Sequence, residues 1–521
     1  MNKILLTLLC TLFSVAVSAQ SDYKYSTDAY FNKVIIQVDK PGMLEKKLQG
    51  TTLSSLTGLK VIGPLNQEDM ELLSWLATKG TNNGLHSINL HDANLESIPA
   101  KCFKGTFYLM YFYMPQDLKE IGDEAFSGSD LQHIDFPASL KKIGKKAFFG
   151  QHAKKLTIPA AVESIGDGAF AAMKDLKEVT VATGNTAFKV TDGLLIGLSD
   201  SKLIQCFPYV KDAVTIPAGT KRIGDAAFHT AKFVTSISIP ASIEQIGTAA
   251  FSATYALTSI DVAAANTHYV SDGGVLFNKE KSILLCYPTS KTGKAYTVPN
   301  SVTEIAASAF TEAGGQNSKA KPGLQKVVVQ NGVVKIGDDA FNFSGISEIT
   351  LPTTLREIGA NCFYYTNVED VTIPEGVKRI EAGTFEACYS LTTLTLPSTM
   401  EYIGAGFLSM CDAIATINVY AQTPPTCDRD AFGTFAGSVD LHVVKGARKA
   451  YNKHEAWGNA GFNDIIDDLE VVTGIETSTT TPATIVEVAR YNAAGARLNA
   501  PEKGLNIVKM SDGRTVKIIV R

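Results

Sequence analysis

The chain has 521 residues, enough for three or four globular domains, with a formal net charge of −4 and 45% hydrophobic residues. Mild acidity without a basic stripe gives no support to a nucleic-acid partner, and none of the eight cysteines forms the C-x-x-C pair of a zinc or redox motif. Beyond the extreme N-terminus, no apolar stretch is long enough to span a membrane.

Residues 1–19 read as a secretory signal. Lys3 gives the positive start, residues 4–17 the apolar stretch, and Val17-Ser18-Ala19 a small-residue cleavage site. Residues 20–84 carry no repeat and are expected to cap the repeat stack that begins after them, because the end of such a stack exposes apolar surface. Within them, residues 34–38 predict a strand, Pro41-Gly42 a turn and residues 43–48 a short helix. Asn66 fits a helix N-cap, with Asp69 three residues on, for a helix reaching about Ala77.

Eleven phenylalanines then keep time: Phe103, Phe126, Phe148, Phe170, Phe228, Phe251, Phe310, Phe341, Phe363, Phe385 and Phe407. Five of their ten steps are 22 residues and two are 23, a period that marks a solenoid of short stacked turns. The unit reads L-x-x-I-x-I-P-x-x-[LVI]-x-x-I-G-x-x-A-F. Its alternating, β-branched first part predicts a short strand of a parallel sheet. Prolines such as Pro137, Pro159, Pro352 and Pro374 have no N–H to donate and fix where that sheet ends. Glycine after the isoleucine, as at Gly122, Gly144, Gly166 and Gly359, suggests a tight corner or a positive φ. The rings should stack into one continuous internal spine.

Two insertions, near residues 182–213 and 263–295, lengthen the beat. They match at a spacing of 80: Asp192-Gly193 with Asp272-Gly273, Cys206 with Cys286, and Phe207-Pro208 with Tyr287-Pro288. Each reads as a β-hairpin projecting from the solenoid edge. Residues 314–323 read as a polar loop.

The pattern ends near Tyr420. Residues 421–472 read as a C-terminal cap, with a strand at 439–444, helix around Tyr451 and an apolar anchor at Trp457 and Phe462. Residues 473–483 form a Thr-rich linker. Residues 484–521 form a small β domain, with strands at 485–491, 505–510 and 515–520 and a hairpin turn at Ser511-Asp512-Gly513. The seven cysteines outside the signal read chiefly as buried core thiols, with the pairing of Cys388 and Cys411 left open.

The register of these "IP…IG…AF" copies over about residues 85–420 resembles the BspA-like class of leucine-rich repeats of bacterial surfaces. The resemblance implies a leucine-rich-repeat solenoid: a parallel β-sheet on one face, short helical or irregular segments opposite, caps at both ends. Hairpins of the "DG-V-L-F…L-L-C-Y-P" kind look like a regular feature of this class. The "KVIIQVDKPGMLEKKL" stretch looks like the leaders of secreted Bacteroidetes proteins, and "GLNIVKMSDGRTVKIIV" like their C-terminal sorting or anchoring modules.

Chemistry is thinly marked. The eight histidines form no metalloprotease motif, and neither a nucleophile elbow nor a phosphate-binding loop is present. No catalytic residue, metal site or cofactor is assigned. The x positions of L-x-x-I-x-I are expected to face solvent. In the early turns they gather His86, Asn89, Tyr111, Tyr113, His133 and Asp135, aromatic platforms beside hydrogen-bonding groups. The expectation is an exported, monomeric binding scaffold at the cell surface, adhering to protein or glycan ligands of host or neighbouring cells. The alternative is an envelope scaffold without a dedicated ligand.

Overall fold

The computed structural model describes residues 33–78, 84–315, 323–435 and 438–469 of a first unit, and 470, 487–492, 497–498, 500, 503–510 and 515–520 of a second. The expected signal, the Thr-rich linker and the 511–513 turn lie outside the described residues, as do residues 316–322 of the polar loop.

Most turns contribute two strands, not one. The L-x-x-I-x-I segments form a first parallel column, for example Lys155–Ile158 beside Glu178–Val181 and Asp370–Thr372 beside Thr393–Leu396. The isoleucine before the glycine forms a second column of two-residue strands: Ser97–Ile98, Glu120–Ile121, Lys142–Ile143 and Ser164–Ile165 pair in parallel register. No described residue between 85 and 420 is helical, so the side opposite the first sheet is built from these strands and from turns.

The glycines after the isoleucine do not take a positive φ. They are needed because turns approach closely: a Cβ on Gly122, Gly144, Gly166 or Gly359 would lie 2.4–2.5 Å from a backbone nitrogen of the preceding turn. Positive φ falls instead two residues before the ring, at Lys101, Glu124, Lys146, Asp339 and Asn361 among others, and two residues after it. A left-handed non-glycine residue costs about 1 kcal/mol or more. The return is a third ladder. Lys101, Phe103 and Gly105 donate their N–H groups to the carbonyls of Asp123, Ala125 and Ser127 at 2.8, 2.7 and 2.9 Å. Asn361, Phe363 and Tyr365 repeat this onto Ala382, Thr384 and Glu386, each at 2.9 Å. Left-handed residues at alternate positions turn these N–H groups toward the next turn, where each bond contributes about 1 kcal/mol. A hydroxyl or thiol three residues past the ring closes the corner by donating to the ring residue's own carbonyl or that of the preceding ring: Thr106 to Phe103 at 2.8 Å, Thr366 to Phe363 at 2.9 Å, and the Cys388 thiol to Phe363 at 3.0 Å.

The spine is real but interrupted. Phe103, Phe126, Phe148 and Phe170 stack with centroids 5.3–6.2 Å apart, as do Phe341, Phe363 and Phe385 at 5.2–5.4 Å. Between these runs the core divides into three blocks whose seams fall at the insertions. Each insertion is a three-stranded antiparallel meander: Phe188–Thr191, Leu194–Gly197 and Lys202–Cys206, then Tyr269–Asp272, Val275–Asn278 and Ile283–Cys286. Their last strands pair in parallel with Arg222–Ile223 and Glu304–Ile305, so the hairpins lie within the second column and restart it. They do not project from its edge.

Backbone register also corrects the sequence match. Leu195 pairs with Gln205 and Leu276 with Cys286; Leu203 pairs with Ile223 and Leu284 with Ile305. Equivalent backbone positions are therefore 81 residues apart. Cys206 donates to the Ala227 carbonyl as Tyr287 does to that of Ala309. Tyr287 consequently joins the ring column and stacks on Phe310 at 5.1 Å. At the first insertion that place falls to Cys206, which belongs to the second core block, while Phe207 belongs to the first. Both meanders start from an asparagine. Asn185 donates to the Pro159 and Val162 carbonyls at 2.8 and 3.0 Å, and Asn266 donates to those of Pro240 and Ile243 at 3.0 Å.

At the N-terminal end, Lys33–Gln37 and Gly58–Pro64 extend the first column ahead of Ser87–Asn89 and Tyr111–Tyr113. The helix Gln67–Thr78 is capped as expected, Asn66 accepting from the Asp69 N–H at 3.1 Å. Buried Asp69 also accepts from the N–H groups of Gly42, Leu44 and Asn66 at 2.7–3.0 Å, which pins the Pro41-Gly42 turn. At the other end Asp440–Val444 and Asp464–Leu469 close the column, with Trp457 buried beside Phe432 at 4.8 Å. Six of the seven described cysteines are buried free thiols, and Cys427 is half-buried. The second unit by itself is a four-stranded antiparallel sheet of Arg497–Leu498, Glu487–Asn492, Gly504–Met510 and Thr515–Val520 in spatial order.

Candidate functional site

The early sheet face departs from the expected open patch. Register places Ser87 beside Tyr111 and Asn89 beside Tyr113, with Lys60 beyond Asn89. Lys60, Ser87 and Asn89 are buried, because the two N-terminal strands continue the sheet past the first repeat. The Asn89 side chain accepts from the His91 N–H at 3.0 Å, so it shapes the turn after its strand. Tyr111 and Tyr113 are half-buried, not exposed.

His133 and Asp135 are exposed, but residues 131–136 form no strand and the first column breaks there. Phe136 replaces the usual isoleucine, and its ring turns against Phe148 at 5.4 Å. The buried Gln151 side chain instead accepts the Leu131 N–H at 2.9 Å. The structure still brings Tyr111 and His133 together, with rings stacked 6.0 Å apart at 15°. His86 lies half-buried on the other side, 6.0 Å from the Tyr108 ring, where burial lowers its pKa. The His86 carbonyl accepts from Met110 and Tyr111 at 3.0 and 3.1 Å.

Sequence reading passed over the most exposed rings in this region. Phe107 and Tyr108 are 74% and 54% exposed, on the corner after Phe103, and Trp75 is exposed on the helix Gln67–Thr78. The signal was available: the same corner carries polar residues such as Ser129-Asp130 and Gln151-His152 in the next two turns. No three His, Cys, Asp or Glu side chains among the described residues gather as a metal site. A shallow cleft nearby is lined by Glu96, Asp117 and Lys119, but Glu96 is occupied by an ion pair with Lys119. No helix among the described residues is long and apolar enough to cross a membrane.

These features define a parallel β-solenoid of the leucine-rich-repeat class. Six copies of the BspA type leucine rich repeat region match residues 81–191, 205–284 and 315–433, more than half of the chain. The chain belongs to that family. Among solved structures it is similar to the pneumococcal vaccine antigen PcpA, at 20% identity over 80% of each chain with a TM-score of 0.44. It is also similar to a leucine rich cell surface protein of Faecalibacterium prausnitzii, at 22% identity over 74% of this chain and 82% of that one, TM-score 0.37. A leucine-rich repeat protein of Bacteroides ovatus shows 20% identity over 74% and 82%, TM-score 0.26. Likenesses this distant carry no argument of their own, and the assignment rests on the repeat. No curated protein matches the chain.

Proposed function

We propose that this is an exported, surface-displayed binding protein without catalytic activity, which acts as a monomer in adhesion to host matrix proteins, neighbouring cells or surface glycans. The observation that supports this most directly is the N-terminal edge. There Phe107 and Tyr108 are exposed, Tyr108 lies beside His86, and Tyr111 stacks on His133 two residues before Asp135. Exposed aromatic rings beside polar groups are the composition of binding surfaces. In this reading Tyr111, Tyr113, His133 and Asp135 contact the ligand with His86, and Asn89 holds the turn beneath them. Residues 1–19 act as a cleaved signal, 20–84 and 421–472 as caps, and 484–521 as a sorting or anchoring module joined by 473–483.

Protease treatment of intact cells should remove the protein, and purified protein should bind saturably to a matrix-protein or glycan array. Tyr111→Ala/Tyr113→Ala and Phe107→Ser/Tyr108→Ser should each weaken that binding by at least about tenfold, the scale of a lost interface anchor. Full affinity in both variants would reject the N-terminal edge as the site. A purely periplasmic location, or no binding on any array, would reject adhesion in favour of an envelope scaffold.

A further inference from the structure

A second aromatic surface lies far along the same corner. Phe343 and Tyr389 are 39% and 45% exposed. Phe343 lies 4.9 Å from Tyr365 and 5.3 Å from Tyr364, and Tyr389 meets Tyr365 edge-on at 5.5 Å. Four rings from three successive turns thus form one ledge, and the exposed Met410 continues it in the next turn.

Phe343 and Tyr365 stand two residues after their spine rings, with φ of 56° each. In early turns the same place holds Gly105, Gly128 and Gly150, the residue suited to a left-handed backbone. A bulky side chain there is unfavourable and gains no core burial.

Charge sharpens the picture. Residues 337–346, 359–367, 382–390 and 404–412 contain no lysine or arginine, but they carry Asp338, Asp339, Glu386 and Asp412. None of the four forms an ion pair with a described residue, but Asp338 lies in the field of Lys335 and accepts the Ala360 N–H at 2.9 Å, and Asp339 accepts from the Asn342 amide at 2.6 Å; the charge of Glu386 reaches Tyr364 in the ledge. In early turns the corner charges are matched: Lys101 and Lys104 with Glu124, and Lys145 with Asp225. Burial, then the Glu386 carboxylate, raises the Tyr364 pKa, as expected for a phenol next to unneutralised negative charge.

The geometry also selects among ligand chemistries. Phe343 and Tyr365 stack at 28°, which covers one face of each, and Tyr389 meets Tyr365 edge-on, which sets ring edges beside them. A sugar ring needs a broad flat aromatic face, and a neutral sugar would gain nothing from the carboxylates. Edges and phenol hydroxyls suit an aliphatic side chain flanked by a guanidinium or ammonium group, which the carboxylates would attract. We propose that the Phe343–Tyr364–Tyr365–Tyr389 ledge docks a basic polypeptide segment that alternates arginine with aliphatic residues. This surface is separate from the N-terminal edge and stands or falls independently of it.

The test uses the full chain and three fluorescein-labelled octapeptides: alternating Arg-Leu, alternating Glu-Leu and alternating Arg-Ser. Fluorescence anisotropy should show saturable binding of Arg-Leu alone. Phe343→Gly/Tyr389→Ser should weaken it at least tenfold, with an unchanged melting temperature. Glu386→Gln, which leaves every ring in place, should weaken it about threefold and reduce its salt dependence. Phe107→Ser/Tyr108→Ser should leave it unchanged. Equal binding of Glu-Leu, equal binding of Arg-Ser, or full affinity in both ledge variants would overturn the proposal. So would self-association abolished by Phe343→Gly/Tyr389→Ser in a chain that ignores all three peptides, because a second copy would then be the occupant.

Discussion

The turns around Phe126 and Phe148 and those around Phe341 and Phe363 share one skeleton and wear different surfaces. Both stack their rings at 5.3–5.4 Å, and both send the same alternate N–H groups to the next turn. The early corner then uses glycine at its left-handed position and pairs Lys104 and Lys145 with acids; the late corner places Phe343 and Tyr365 there, and its acids meet amide groups rather than lysines, as Asp338 does Ala360 and Asp339 does Asn342. Interior positions answer to the stack. Corner positions are nearly independent of it, so a repeat protein can vary them turn by turn.

Breaking the shared skeleton should have the largest effect, and the same effect in both halves. Phe148→Ala and Phe363→Ala each remove a fully buried ring held between two others, at a cost of about 3–5 kcal/mol in chemical denaturation. Gly144→Ala and Gly359→Ala should each cost about 2–3 kcal/mol, because the new methyl must displace the backbone of the preceding turn. A large difference between the halves would show that the skeleton is not shared.

The corner should respond in opposite directions. Gly128 has φ of 70° and nothing within 4 Å of an added Cβ, so Gly128→Ala should lose about 1 kcal/mol from backbone conformation alone. Phe343→Gly relieves that same strain while giving up ring contacts, and its melting temperature should stay within a few degrees of the parent. If Phe343→Gly unfolds the protein, the ring is a structural element and the ledge is not a dispensable surface.

Legibility in the sequence divides along the same line. The period of the phenylalanines revealed the solenoid, and the capping residues Asn66 and Asp69 revealed the helix behind them, because each rests on local spacing. The second strand column was not legible, since two residues are too few to show alternation. Nor was the role of the Gly122 column: a close approach between turns leaves the same letter in the sequence as a positive φ does. The one-residue offset between the insertions was hidden because the letters align at 80 while the strands pair at 81. At the candidate site, alternation placed Asn89 on the solvent face, but it could not show that neighbouring strands would bury it. The ledge was invisible to motif reading because its rings sit at corner positions outside the repeat consensus.

Between the two halves lies a pH-sensitive joint. His229, one residue past its spine ring, packs against Phe149 at 5.5 Å with Nδ1 2.8 Å from the Ser252 hydroxyl oxygen. Burial, and then Lys146 and Lys174, lower its pKa from 6.5 to about 4. The unfolded chain therefore binds this proton first. Stability is fully present above pH 6.5 and falls as pH drops toward about 4, by about 1–3 kcal/mol from this group. His229→Gln should flatten that part of the pH–stability curve; an unchanged slope would assign the acid sensitivity to carboxylates elsewhere.

The smallest effects should come from the charges that link one turn to the next. Lys142 lies 2.7 Å from Glu120 in the early half, and Lys378 lies 2.7 Å from Glu401 in the late half. Both pairs are exposed, so solvent and salt screen them. Lys142→Ala and Lys378→Ala should each leave the denaturation midpoint unchanged within measurement error. Charge reversal is the sharper probe, since Lys142→Glu and Lys378→Glu set like charges opposite each other in successive turns. A loss of stability that fades in high salt would mean these pairs serve mainly to keep like charges apart. A loss that persists in salt would mean the lysine stems cover the column beneath them, and the surface of each turn would then belong to the skeleton after all.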